Sequence, residues 1–85
     1  MAIQQRKNTL LVREVDGEVL ILDTEADRIH QLNASASVVW RLHESGGNVA
    51  DIASVLAIEF DVDKLRAEAD VNAALEQFRV LGLIS

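Results

Sequence analysis

A chain of 85 residues, 49% hydrophobic and 26% charged, has room for one domain with a modest core, and not for a core plus a deep catalytic cleft. Its 14 acidic against 8 basic residues leave a net charge of −6, the reverse of the basic footprint of a phosphate-backbone binder; this disfavours DNA, RNA and anionic membranes and is compatible with a neutral or basic peptide partner. Cysteine is absent, which excludes disulfides and thiolate metal sites, and no apolar run approaches the ~20 residues of a membrane span or the core of a signal peptide.

A bacterial-type cytosolic location is therefore the expectation, and all 85 residues are read as a single domain, with residues 1–8 polar and flexible. From Thr9 to Val15 the aliphatic and β-branched content reads as a strand. Asp16-Gly17 is a two-residue hairpin signal, since the pair suits the positive φ angles of a type I′ turn. Glu18–Asp23 is the returning strand, and its unbroken apolar run predicts burial on both faces or a central position. Thr24 to Asp27 is a polar turn, and Arg28–Leu32 is a third strand whose far side is the open edge of the meander.

Asn33 is suited to cap a helix over 34–44, in which Ala36, Val39, Trp40 and His43 share a stripe broadened by Val38 and Leu42. Gly46-Gly47 ends it. Asn48 caps the next helix, whose expected buried stripe is Val49, Ile52, Ala53, Leu56 and Phe60. Asp61-Val62-Asp63 breaks it and offers a fresh cap for a last helix over 64–81, with Ala67, Val71, Ala74, Phe78 and Leu81 as its stripe. Gly82 stops that helix, and Leu83-Ile84 are expected to fold back onto the core. Strands segregated from helices make an α+β fold: a three-stranded antiparallel sheet followed by three helices, the helix pair around Gly46-Gly47 resembling a helix-turn-helix.

The chemistry-bearing residues do not converge into a reactive set. His30 and His43 have neither HxH nor HxxxH spacing, so no metal site is expected. The carboxylates are scattered on helix faces, and there is no cysteine nucleophile, no G-x-S-x-G elbow and no phosphate-cradling glycine loop. The reading is a chain with no catalytic residue and no cofactor. Trp40 is expected to anchor the core. A winged-helix DNA-binding regulator is the alternative reading, yet the helix over 49–60 has no Lys or Arg, and the last helix sets Lys64, Arg66 and Arg79 against Asp63, Glu68, Asp70 and Glu76.

What remains is the sheet edge. An edge strand beside a long helix can take an extended peptide by strand addition, with main-chain hydrogen bonds for affinity and side-chain pockets for selectivity. Alternation along the third strand puts Arg28, His30 and Leu32 on one face and Ile29 and Gln31 on the other. An edge blunted by its own charged residues, Asp27 and Arg28, is the competing reading. A homodimer in which two such edges pair is a further one.

The runs Val19–Asp23, Ile29-His30-Gln31-Leu32-Asn33 and Val39-Trp40-Arg41-Leu42 resemble the PqqD-like family, named for a pyrroloquinoline quinone biosynthesis protein. The family is also called the recognition element of ribosomally made, modified peptides. Asn48–Ala53, Asp70-Val71, Leu75, Phe78 and Gly82-Leu83-Ile84 extend the resemblance across nearly the whole chain. It implies a winged helix-turn-helix-like domain in natural-product biosynthesis of the lasso-peptide or PQQ type. Such a domain binds the leader of a precursor peptide beside the third strand, and presents it to a radical SAM protein, a leader peptidase or a cyclase. Carried onto this chain, the peptide-binding residues are Arg28, Ile29, His30, Gln31 and Leu32 on the strand, with Arg66, Asp70, Val71, Ala74 and Phe78 on the last helix. Many relatives have an aromatic residue where His30 stands, so the pocket here is expected to be smaller and more polar. With no fused enzyme domain, the chain is expected to act in trans.

Overall fold

The computed structural model describes residues 10–84; the first residue of the expected first strand, Thr9, and the polar stretch before it lie outside them. Three strands come first, β1 (Leu10–Val15), β2 (Glu18–Asp23) and β3 (Arg28–Gln31), and three helices follow, α1 (Ala34–Glu44), α2 (Val49–Phe60) and α3 (Lys64–Val80). The sheet is an antiparallel meander in the order β1-β2-β3, so β2 is central, as its apolar run implied.

The turns follow from their residues. Asp16 and Gly17 have φ of 53° and 81°, both left-handed, the pair of conformations a type I′ hairpin requires. The second turn is built by Asp23, a buried carboxylate whose Oδ1 accepts from the N–H groups of Glu25 and Ala26 at 3.1 Å each. Arg41 ties the first hairpin to α1 through Glu14, at 3.2 Å.

Each helix starts on a side-chain cap. Asn33 accepts from the N–H of Ala36, Asn48 from Asp51 and Asp63 from Arg66, all at 2.8 Å. The left-handed Gly46 (φ 91°) follows α1, whereas α2 ends on Asp61 in the left-handed conformation. After α3 the N–H groups of Gly82 and Leu83 return to the carbonyls of Arg79 and Phe78, at 3.0 and 2.8 Å, closing a Schellman motif. Leu83 and Ile84 are thereby turned into the core, as expected.

One face of the sheet packs on the helices. Leu10, Val19, Ile21 and Leu32 join Trp40, Ile52, Leu56, Val71 and Phe78 in a single apolar core. Trp40 meets Phe78 edge to face, with ring centroids 5.4 Å apart, so the expected anchor couples α1 to α3.

The buried stripes differ from expectation in three places. On α1 the buried set is Ser37, Val38, Val39 and Trp40, while Ala36, Leu42 and His43 are half-buried. Of the expected α2 stripe, Phe60, the last residue of the helix, is 38% exposed and Val49, the first, is half-buried. On α3 Leu75 is buried in place of Ala74, which is half-buried along with Leu81. Positions 74 and 75 stand three and four residues after Val71, so both satisfy helical spacing. The rotation of α3 against α2 selects between them.

Candidate functional site

The ladder between β2 and β3 determines which backbone groups are free. Leu20 pairs with Gln31, Ile21 with His30, Leu22 with Ile29 and Asp23 with Arg28. Beyond the strand, the N–H of Leu32 still donates to the carbonyl of Val19 at 2.9 Å. In an antiparallel ladder the bonding direction alternates residue by residue. Arg28, His30 and Leu32 therefore turn their peptide groups to β2, and Ile29 and Gln31 turn theirs to the open edge. The edge presents two donors and two acceptors to whatever lies beside it.

The end of that edge is set by a side chain the sequence reading passed over. Ser37 is fully buried; its Oγ accepts from the N–H of Val19 at 2.8 Å and donates to the carbonyl of Leu32 at 3.2 Å. The second bond of the Val19–Leu32 pair is thus relayed through a hydroxyl. The wedge opens the two strands at the point where β3 gives way to α1. It also satisfies two buried polar groups that would otherwise be stranded.

Side chains alternate with the backbone groups. Leu32 is buried and His30 half-buried on the helix side of the sheet, whereas Ile29 is 68% exposed and Gln31 exposed on the other. Between β3 and α3 lies a hollow of about 410 Å³, with Leu32, Ala36, Ala74, Phe78 and Leu81 as its apolar lining and His30, Gln31, Asn33 and Gln77 among its polar groups. No carboxylate, ammonium or guanidinium lines it. A second hollow of about 390 Å³ shares Asn33, Ala36 and Ala74 with the first and extends past Val39 and Asp70 towards Leu56. Together they form a trough along one side of α3, beside the open edge.

The expected site residues divide accordingly. Ile29, His30, Gln31, Leu32, Ala74 and Phe78 come together around the first hollow, and Asp70 lines the second. Arg28 is exposed at the start of β3 and lines neither. Arg66 points into solvent, paired with Asp70 at 3.5 Å. Val71 is a correction: it has no exposed surface and is part of the core, because α3 turns that side of itself to the other helices. The sequence reading missed Asn33, Ala36, Gln77 and Leu81 as lining of the first hollow. A signal for α3 was present, since Ala74, Gln77, Phe78 and Leu81 stand at i, i+3, i+4 and i+7, one helical face.

Other chemistries find little to work with. Among the described residues no group of three or more His, Asp or Glu side chains converges on a metal-sized site, and no helix is long and apolar enough to cross a membrane. The exposed side of α2 carries Asp51 and Glu59 and no Lys or Arg, and on α3 Arg66 and Arg79 are paired with Asp70 and Glu76. That is a poor surface for a phosphate backbone.

The family model of coenzyme PQQ synthesis protein D (PqqD) matches residues 18–84. A search of curated proteins found no match. Among solved structures, the fold is similar to that of TbiB1 in complex with the TbiA(beta) leader peptide, with a TM-score of 0.84 and 23% identity over 96% of this chain and 95% of that one. It is also similar to a lasso peptide synthetase B1 complexed with the leader peptide, with a TM-score of 0.87 and 25% identity over 95% of each chain.

Proposed function

The chain belongs to the PqqD family, and from that premise we propose that it binds the leader segment of a ribosomally made precursor peptide by strand addition at β3 and presents it to a separate modifying enzyme or leader peptidase. The observation that carries this reading is the open edge itself. Two peptide groups, at Ile29 and Gln31, face away from β2 directly beside an apolar trough. The structural neighbours in complex with leader peptides support it.

The geometry makes the mode of recognition specific. A peptide bonded to Ile29 and Gln31 has the residues opposite them pointing to the outer face of the sheet. Its alternate residues, opposite His30 and Leu32, point into the trough. Two leader side chains spaced i and i+2 thus enter a hollow lined by no carboxylate, ammonium or guanidinium, which favours apolar or neutral residues there. His30 makes the entrance polar. Asp70 and Arg66 stand further along α3, where an extension of the leader could meet them. On this reading the chain contributes affinity and orientation, and the bond-making belongs to the partner.

Titration of the fluorescently labelled cognate leader tests the proposal. Saturable binding is expected, and its absence below about 100 μM, equivalent to about −5.5 kcal/mol, refutes it. Pairing of two β3 edges in a homodimer would compete for the same groups. Sedimentation velocity with and without leader separates the two, because leader would dissociate such a dimer.

A further inference from the structure

The face of the sheet opposite the helices is largely aliphatic, and of its residues only Ile29 and Gln31, at the edge, also line the trough. Leu11 pairs with Leu22, and Leu22 with Ile29, so three aliphatic side chains form one row across all three strands. The next row is Arg13, Leu20 and Gln31, and the last sets Val15 beside Glu18. Leu11, Val15 and Ile29 are 44%, 56% and 68% exposed. The helices lie against the opposite side, where Val19 and Ile21 are buried and α1 packs on β2. A row of aliphatic residues exposed at both ends, with half-buried Leu22 between, that reaches an open edge has the character of an association surface.

We infer that this outer face is the docking surface for the partner enzyme, and that the partner's complementary surface is an apolar patch rimmed by lysine and arginine. Charge argues for that occupant. The turns at the two ends of the sheet carry Asp16 and Glu18 on one side and Glu25 and Asp27 on the other, against Arg13 and Arg28. A basic rim complements them, whereas a second copy of this chain would bring like-charged turns together at a net −6 each.

Continuity with the edge argues for it too. Ile29 offers its backbone to the edge and its side chain to the outer row. If the leader is bound there, as proposed above, the leader residue opposite Ile29 adds a fourth member to the row Leu11–Leu22–Ile29. The enzyme then meets chain and leader as one surface, which makes engagement sensitive to whether the leader is loaded. This inference takes its partner enzyme from the function proposed above and rests on leader binding for that coupling, while the docking itself does not require a bound leader.

The test uses the full chain, the labelled leader, and the modifying enzyme whose gene adjoins that of the precursor. Leu11→Lys/Val15→Lys alters exposed side chains remote from the trough. Leader affinity is expected to stay within about twofold, while enzyme binding, followed by biolayer interferometry with and without leader, weakens about tenfold or more. Asp16→Asn/Asp27→Asn serves as a second variant, because asparagine tolerates the left-handed backbone at both positions. It is expected to weaken enzyme binding and flatten its salt dependence. Unchanged enzyme binding in both variants overturns the inference. So does a wild-type dimer in sedimentation that Leu11→Lys dissociates, since a second copy would then cover the face. If wild-type chain fails to bind leader yet binds enzyme in a Leu11-dependent way, the docking face stands and the leader reading falls.

Discussion

Replacing Gln31 by proline removes one backbone donor from the open edge and leaves the sheet's own ladder whole. The N–H of Leu32 donates to Val19, so the N–H of Gln31, one residue earlier, points away from β2. Proline is tolerated in an edge strand on the side facing outward. The one internal bond lost is the exposed contact of the Gln31 side chain with Glu18 at 3.2 Å, which contributes well under ~1 kcal/mol. Binding should suffer more. One main-chain hydrogen bond to the leader disappears and a leader carbonyl goes unpaired at a half-covered edge, together costing about 1–2 kcal/mol, or a five- to thirtyfold rise in Kd. Fluorescence anisotropy of labelled leader against wild type, Gln31→Pro and Gln31→Ala isolates the effect, because alanine keeps the N–H and loses the side chain. Alanine is expected within about twofold of wild type. His30→Pro is the structural contrast, since its N–H belongs to the ladder with Ile21 and its loss should lower the melting temperature. A folded Gln31→Pro variant that binds leader as tightly as Gln31→Ala refutes strand addition in this register.

Ala74→Arg places a long side chain in the trough from a half-buried position lining both hollows; leader affinity should fall about tenfold or more while the melting temperature changes by only a few degrees, measured by anisotropy and thermal denaturation. Ser37→Ala strands the Val19 N–H and the Leu32 carbonyl in a buried site, at a cost of roughly 2–3 kcal/mol. That corresponds to a drop of roughly 10–20 °C in Tm for a domain of this size, and an unchanged Tm would show that the hydroxyl relay is unimportant. Gly46→Ala meets nothing within 4 Å of the added Cβ, yet φ there is 91°, so about 1 kcal/mol of purely conformational cost is expected in chemical denaturation.

The features legible in the chain are those whose partners lie within a few residues. Asp16-Gly17 turns, Asn33, Asn48 and Asp63 cap, and Gly82 closes α3, each through bonds spanning two to five positions. Alternation then assigned Ile29 and Gln31 to one face of β3 and His30 and Leu32 to the other, because the side-chain period of a strand depends on the backbone alone. The boundary of β3 moved by one residue, from Leu32 to Gln31, as the Ser37 hydroxyl, 18 positions from the Val19 N–H that donates to it, intervenes there.

The candidate site was only half legible. Its strand side came from position in the meander, and its helix side depended on how α3 is rotated. Spacing allows Val71, Ala74, Leu75 and Phe78 equally to face inward, but packing against α2 buries Val71 and Leu75 and leaves Ala74 with Gln77 and Leu81 along the trough. Phe60 and Ser37 show the same limit from opposite directions, an aromatic residue left exposed and a polar one buried. Sequence by itself determined the order of elements, their caps and the open edge, since these reside in local hydrogen bonding and hydrophobic period, while the family was legible as a resemblance carried by runs such as Ile29–Asn33 and Gly82–Ile84. Tertiary structure alone decided which side of α3 walls the groove, how Ser37 parts the strands, and that the outer row Leu11–Leu22–Ile29 lies uncovered by any helix among the described residues. Those depend on contacts between residues far apart in the chain, and a repeat of 3.6 or of 2 does not encode which neighbour will be met.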